Sequence, residues 1–193
     1  MRGHSEVGGR GMKVIFLDID GVLNGYNRFT NIAYWWFKRL HLLKFVHKHY
    51  DIFGVRTHKV RLLAKIIKKT GAKVVISSSW RFGWYEPYEK KRGRQKELHD
   101  KLHKYNIEVI GITGRVAHGE HTSHRESEIR KWLSEHPEVK RFIVIDDEQY
   151  DLQGFIGKEL IKTSATDNIT GAWHENTGLK RKHVKQAIKI LNS

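Results

Sequence analysis

The most constraining feature of the sequence is an acidic pair that follows an apolar run. Residues 14–17 read Val-Ile-Phe-Leu and predict a buried strand, and Asp18, Ile19, Asp20 and Gly21 come directly after it. Two carboxylates two residues apart on an extended chain point to the same side, where their charges repel. A cation between them, or a proton on one of them, removes that repulsion. The pair therefore favours a magnesium site with one nucleophilic and one acid/base aspartate, although a strand followed by an acidic turn has the same pattern.

Two further apolar runs also end in polar residues. Residues 73–76 lead into Ser-Ser-Ser-Trp-Arg at positions 77–81, and residues 142–145 lead into Asp146 and Asp147, with Asp151 shortly beyond. In open parallel sheets, ligands bind beyond the carboxyl ends of the strands. Hydroxyl, cationic and acidic groups suited to a phosphate and a metal are therefore predicted at one edge of a sheet.

Strand and helix patterns alternate along the chain. The predicted strands are residues 14–18, 73–77, 107–112, 141–146 and 159–163, and the predicted helices are residues 58–70, 88–105, 123–136 and 178–191. Such alternation is typical of an α/β protein with a parallel sheet flanked by helices. We expect one domain over residues 12–193, preceded by a Gly-rich segment, residues 1–11, that is interpreted as a flexible leader or an expression remnant.

The charge of the chain is strongly positive. Lys and Arg number 36 against 21 Asp and Glu among 193 residues, which gives a formal net charge of +15. This excess favours a polyanionic partner such as nucleic acid, although a lysine-rich surface also aids solubility. There is no cysteine, so disulfides and thiolate zinc sites are excluded, in agreement with a reducing, cytoplasmic setting. The sequence has no apolar segment long enough for a membrane span.

An insert at about residues 25–57 interrupts the alternation between the first strand and the first core helix. It is rich in aromatic residues and carries the basic residues Arg28, Lys38, Arg39, Lys44 and Lys48. Its aromatic rings are suited to stacking on bases and its cations to following phosphates. Alternatively, its apolar residues simply pack the insert onto the core.

The order of these segments resembles the haloacid dehalogenase (HAD) superfamily. The four segments read Asp-Gly-Val-Leu-Asn, Ser-Ser-Ser-Trp-Arg, Arg-Glu-Ser-Glu-Ile and Ile-Asp-Asp, and they are similar to the HAD domain of the "Swiss Army Knife" RNA-repair proteins. The resemblance covers roughly residues 12–191. It implies a Rossmann-like core in which the insert forms a small helical cap over the active site.

The resemblance also implies roles for the acidic residues. Asp18 is expected to be the nucleophile that forms an aspartyl-phosphate, and Asp20 the acid/base that protonates the leaving alkoxide and then activates water. Asp146 and Asp147 are expected to bind Mg²⁺ together with Asp18 and the backbone carbonyl of Asp20. Asp151 is expected to support this metal site from outside it.

Phosphate binding is expected to come from the serines and two arginines. Ser77 is the first candidate for the motif serine and Ser78 the next, and Arg81 is expected to reach the phosphate or a nucleic-acid backbone. Arg125 is chosen as the basic residue of the motif, with His124 as a rival.

The resemblance implies a magnesium-dependent phosphatase that acts on nucleic-acid ends in repair, with a 3′-phosphate favoured. Three alternatives stay open: a phosphatase for nucleotides or other small molecules, a nucleic-acid-binding module with weak catalysis, and a phosphotransferase. The chain lacks a P-loop, which argues against a polynucleotide kinase. His99 and His103 have a spacing found in zinc sites, but we interpret them as surface histidines.

Overall fold

Five parallel strands form the centre of the molecule. The computed structural model describes residues 11–24, 36, 38–41, 54–115, 125–164 and 177–193. The strands lie in the order β3-β2-β1-β4-β5, and every neighbouring pair is parallel. Their bounds are β1 Met12–Leu17, β2 Lys73–Ile76, β3 Val109–Ile112, β4 Val139–Asp146 and β5 Leu160–Lys162. The parallel α/β sheet predicted from the alternation is therefore confirmed.

Helices cover both faces of this sheet, so the central strand is buried on both sides. The helices are α1 Thr57–Thr70, α2 Gly93–Lys104, α3 Arg125–Ser134 and α4 Arg181–Asn192. Ile15 and Leu17 point to one face, where they join a core with apolar residues of α1, α2 and α4. Val14 and Phe16 point to the other face and pack with α3. A strand buried on both faces reads as a continuous apolar run, which explains the sequence of β1.

The path of the chain creates a crevice between β1 and β4. From β1 the chain winds through α1 to β2 and through α2 to β3, moving away from β1 in one direction. It then crosses on the opposite face through α3 and returns to β4, on the other side of β1. Connections leave the two strands in opposite directions, and ligands of open α/β sheets bind at such a point. Asp18 and Asp146 lie at the carboxyl ends of these two strands.

The starts of α2 and β3 differ from their predicted positions for local reasons. Helix α2 was predicted to begin at position 88, but residues 88–90 form a separate 3₁₀ turn, and Lys91 and Arg92 are extended before α2 begins at Gly93. Strand β3 was predicted from position 107, but the Ile107 N–H donates to the Leu102 carbonyl and closes the end of α2.

Several expectations concern residues outside the described ranges. Residues 1–10 and most of the insert are among them, including the proposed nucleic-acid-binding residues Arg28, Lys44 and Lys48. Lys38 and Arg39 are described, and both are exposed. Among the helices that the structure describes, none is long and apolar enough to cross a membrane.

His183 on α4 makes the stability of the fold sensitive to acid. Its side chain is buried, and its Nδ1 accepts a hydrogen bond from the Lys180 N–H at the start of the helix. Burial, together with the positive charges of Lys182, Lys180 and Lys59, lowers the pKa of His183 to about 4. Between this value and its ordinary pKa of 6.5, the unfolded chain binds a proton that the folded chain does not.

We therefore expect the free energy of unfolding to fall as the pH is lowered from 6.5 toward 4, by up to about 3 kcal/mol from this residue. Urea titrations of the parent and of His183→Gln at several pH values measure this free energy of unfolding. The difference between the two proteins isolates His183 from the other titrating groups. A difference that stays constant across this pH window would contradict the assignment.

Candidate active site

Three aspartates converge at the crevice between β1 and β4. Asp18 follows β1, Asp146 ends β4, and Asp147 comes next, and their carboxylates offer oxygens that lie within 4.8 Å of one another. The Asp18 N–H donates to the Ile145 carbonyl at 3.0 Å, which fixes the end of β1 against β4. The side chains of Asp18 and Asp146 are buried, and Asp147 is half-buried. We refer to these three residues as the carboxylate cluster.

The carboxylate cluster resists full ionisation. Burial, and then the charge of Asp146, raises the pKa of Asp18 to about 7. Burial raises the pKa of Asp146, and burial together with Asp146 raises that of Asp147 to about 6. Carboxylates that are buried beside one another need a compensating cation to remain charged at neutral pH.

Arg125 provides one such cation. Its Nη1 donates to Asp18 Oδ1 at 2.8 Å and to Asp146 Oδ2 at 2.6 Å, so a single guanidinium nitrogen joins the ends of the two strands. Arg125 stands at the first position of α3, on the segment that the sequence predicted to supply the basic residue. The structure thus brings Arg125 together with two of the predicted metal-binding aspartates.

The carboxylate cluster also fits a hard divalent cation. It offers only oxygen donors, which Mg²⁺ prefers, and a single arginine leaves it with an excess of negative charge. Gly21, in the turn after β1, leaves room for the Asp147 side chain, because a Cβ at position 21 would overlap with it. Asp151 is exposed on the 3₁₀ turn after β4 and is not part of the cluster.

Asp20 lies beside the carboxylate cluster in its own hydrogen-bond setting. Its Oδ1 accepts a hydrogen bond from Asn24 Nδ2 at 2.6 Å, and its Oδ2 accepts one from Trp80 Nε1 at 2.8 Å. Asn24 Oδ1 in turn accepts from the Gly21 N–H. Two donors from different segments therefore hold this carboxylate in one orientation, as a group that must exchange a proton with a substrate requires.

The structure separates the roles of the two candidate serines. The Ser78 hydroxyl forms a hydrogen bond with the Asp18 carboxylate, and it accepts a hydrogen bond from the Trp80 N–H. Ser77 is fully buried, and its Oγ has no hydrogen-bond partner among the described residues. Ser78 is thus the serine whose side chain contacts the carboxylate cluster, although Ser77 was the first candidate from the sequence.

Arg81 occupies a different place from the one that the sequence suggested. Its guanidinium forms two hydrogen bonds to the carboxylate of Glu128, at 2.6 and 2.9 Å, and a third to Thr113 Oγ1 at 2.9 Å. Glu128 and Thr113 are buried. Arg81 therefore braces the carboxyl ends of β2 and β3 against α3, the helix that carries Arg125, and its expected contact with a phosphate stays a prediction.

One comparison with known proteins identifies the family of the chain. A family model described as the HAD domain in Swiss Army Knife RNA repair proteins matches residues 14–172. The chain belongs to this family. Comparisons with curated proteins and with solved structures give no significant match. The match includes all the site residues described above, from Asp18 to Asp147.

Two arginines of the HAD domain reach this site although the sequence did not single them out. Arg92 and Arg94 flank the start of α2 and line a cavity that also contains Asp20. Neither belongs to one of the four motif segments, and α2 was predicted to begin several residues earlier. The density of basic residues at positions 90–96 was the signal that could have drawn attention to them.

Gly21 offers a direct test of whether the carboxylate cluster of this HAD domain binds a metal ion. Its φ is +67°, and a Cβ added there would lie 2.2 Å from Asp147 Cγ. Gly71 at the end of α1 has a φ of +71° and open space around the position of a Cβ. Alanine should therefore strain the backbone at both positions, by about 1 kcal/mol, but displace an aspartate only at position 21.

We expect Gly21→Ala to weaken Mg²⁺ binding by roughly tenfold or more, while Gly71→Ala binds Mg²⁺ like the parent. Isothermal titration calorimetry with Mg²⁺ measures the affinities, and thermal melts report the shared backbone cost. Equal Mg²⁺ affinities in the two variants would show that Asp147 does not hold the metal.

Proposed function

We propose that this HAD domain is a magnesium-dependent phosphatase that hydrolyses phosphomonoesters through an aspartyl-phosphate on Asp18. The observation that supports this most strongly is the pairing of two aspartates with different environments. Asp18 lies in the carboxylate cluster with Arg125, whereas Asp20 is held outside the cluster by Trp80 and Asn24. One position suits a nucleophile facing a cation, and the other suits a group that gives and takes a proton.

The proposed reaction has two displacements at phosphorus. In the first, a carboxylate oxygen of Asp18 forms a bond to phosphorus while the bond to the leaving oxygen breaks, and Asp20 gives that oxygen a proton. In the second, water attacks phosphorus and gives a proton to Asp20, and the bond to Asp18 breaks. The Ser78 hydroxyl and the Arg125 guanidinium are placed beside Asp18 to donate hydrogen bonds to phosphoryl oxygens.

Asp18, Asp146 and Asp147 would hold a Mg²⁺ ion, which would supply positive charge to attract the phosphate and stabilise the charge on the transferring group. The residues themselves fit this cation, as the raised pKa values of the carboxylate cluster indicate. Asp151 and the backbone carbonyl of Asp20 remain proposed supports of the metal.

The proposed substrate is the phosphorylated end of a nucleic acid, with a 3′-phosphate favoured. Support comes from the family, whose description names RNA repair, and from the net charge of +15. Lys38 and Arg39 are exposed on the described part of the insert and are proposed to contact the strand, together with Arg28, Lys44 and Lys48. A panel of 3′- and 5′-phosphorylated oligonucleotides, with mononucleotides beside them, tests this choice.

The nucleophile is tested by Asp18→Asn. The amide keeps the shape of the side chain but lacks the charge that attacks phosphorus, so hydrolysis of every phosphomonoester should fall by at least about a thousandfold. Asp100→Asn is the matched control, because Asp100 is an exposed aspartate on α2. Steady-state phosphate release measures the activity of both variants. Activity of Asp18→Asn close to that of Asp100→Asn would exclude the covalent mechanism.

The acid/base role is tested by Asp20→Asn with two leaving groups. An alkyl phosphate, such as a nucleoside monophosphate, needs a proton on the leaving oxygen, whereas an activated aryl phosphate needs it much less. We expect a loss of roughly a hundredfold or more for the alkyl substrate and a smaller loss for the aryl substrate. The ratio of kcat/KM values is the measurement, and the same ratio in parent and variant would count against this role.

A further inference from the structure

A cavity beside Asp20 is not explained by the phosphoryl-transfer site itself. Its volume is about 260 Å³, and it is lined by Asp20, Ser79, Trp80, Arg92, Arg94 and Gln95. It lies where the loop after β2 meets the start of α2. Apart from Asp20, and Trp80 that holds it, none of the lining residues has a role in the proposed displacements at phosphorus.

The position of this cavity assigns it to the leaving group. Asp20 is the residue proposed to protonate the leaving oxygen, so the body of the leaving alcohol must extend past the Asp20 carboxylate. Asp20 Oδ2 accepts a hydrogen bond from Trp80 Nε1, and Trp80 also forms part of the cavity wall. The carboxylate is therefore held facing the space in which the leaving alcohol would lie.

The wall of the cavity carries two positive charges. Arg92 is exposed and donates to the backbone carbonyls of Glu89 and Lys91, which are uncharged and leave its positive charge in place. The Arg94 guanidinium carbon lies 5.7 Å from the centre of the Trp80 ring. A neutral sugar or a simple alcohol gives these guanidinium groups no anion to bind. A phosphate gives them several oxygens in a geometry that arginine matches well.

We infer that the cavity is a leaving-group subsite for a second phosphate, so that the preferred substrates are phosphomonoesters whose leaving alcohol itself carries a phosphate. The terminal phosphate of a polynucleotide has this chemistry, since the next phosphate along the chain belongs to the leaving group. A nucleoside monophosphate does not have it. This inference rests on the proposed function, because it needs Asp20 to mark the leaving-group side.

A binding experiment tests the subsite separately from catalysis. Asp18→Asn serves as the background in every arm, with Mg²⁺ present, so that the probes are not consumed. The probes are a nucleoside 3′,5′-bisphosphate and the corresponding 3′- and 5′-monophosphates. In the bisphosphate, whichever end occupies the phosphoryl site, the leaving alcohol carries a second phosphate, so the result does not depend on end preference.

We expect the bisphosphate to bind at least about tenfold more tightly than either monophosphate by calorimetry. Arg92→Gln with Arg94→Gln should reduce this preference to about twofold or less. Arg92→Lys with Arg94→Lys should keep part of it, because the charge remains. The control is Lys68→Gln with Lys69→Gln, which removes the same charge from an exposed pair in the last turn of α1 and should leave the preference unchanged.

Four outcomes would overturn the inference. One is equal binding of the bisphosphate and the monophosphates by the background protein. Another is a preference that survives the loss of both arginines. The third is a preference that falls equally in the lysine control, because general charge would then explain it. The fourth is a parent chain that hydrolyses no phosphomonoester, including an aryl phosphate, since the phosphatase proposal and the leaving-group assignment then fail together. Hydrolysis of the aryl phosphate without a bisphosphate preference leaves the phosphatase standing and removes only the subsite.

Discussion

The site depends on two buried carboxylates that share one arginine, with a third, half-buried carboxylate beside them. Asp18 and Asp146 end adjacent parallel strands, and Arg125 donates one nitrogen to both. Burial of like charges is unfavourable, and the raised pKa values of all three aspartates of the carboxylate cluster express this. The topology brings these groups together, because the connections leave β1 and β4 in opposite directions and open one crevice at the carboxyl ends of both strands. Because one arginine does not balance three carboxylates, the cluster fits a divalent cation in addition to Arg125.

The surrounding residues keep this cluster in a fixed shape. Arg81 bonds Glu128 and Thr113, and it thereby joins the ends of two strands to the helix that begins with Arg125. Trp80 precedes Arg81 in the sequence, and its indole N–H donates a hydrogen bond to the Asp20 carboxylate. The Ser-Ser-Ser-Trp-Arg segment thus contacts Asp20 through Trp80 and the helix that carries Arg125 through Arg81, and its Ser78 lies beside Asp18. Preorganised donors of this kind need little rearrangement during the reaction, which is what effective charge stabilisation requires.

Features set by local sequence could be predicted, and those set by distant packing could not. The apolar runs of the strands, and the polar residues at their ends, indicated the parallel sheet and the meeting of Asp18 with Asp146. Glu128, which bonds Arg81, lies 47 residues away in the sequence, so no spacing rule could have indicated this pair. The sequence predicted one continuous helix over residues 88–105. In the structure Arg92 is instead extended, just before α2 begins, and its side chain lines the cavity beside Asp20. The role of the insert stays a prediction, because most of its residues lie outside the described ranges.

The central claim is that Asp18 carries the phosphoryl group between substrate and water. Asp20→Asn should form this intermediate from an activated aryl phosphate, which needs little protonation, but should release it slowly, because no base activates water. Acid quenching during turnover, followed by mass spectrometry of peptides, measures the position of the group directly. We expect one added phosphoryl group on the peptide that contains Asp18, and no such group when Asp18→Asn is combined with Asp20→Asn. A phosphoryl group on another residue, or unmodified protein during continued turnover of the aryl phosphate, would contradict it.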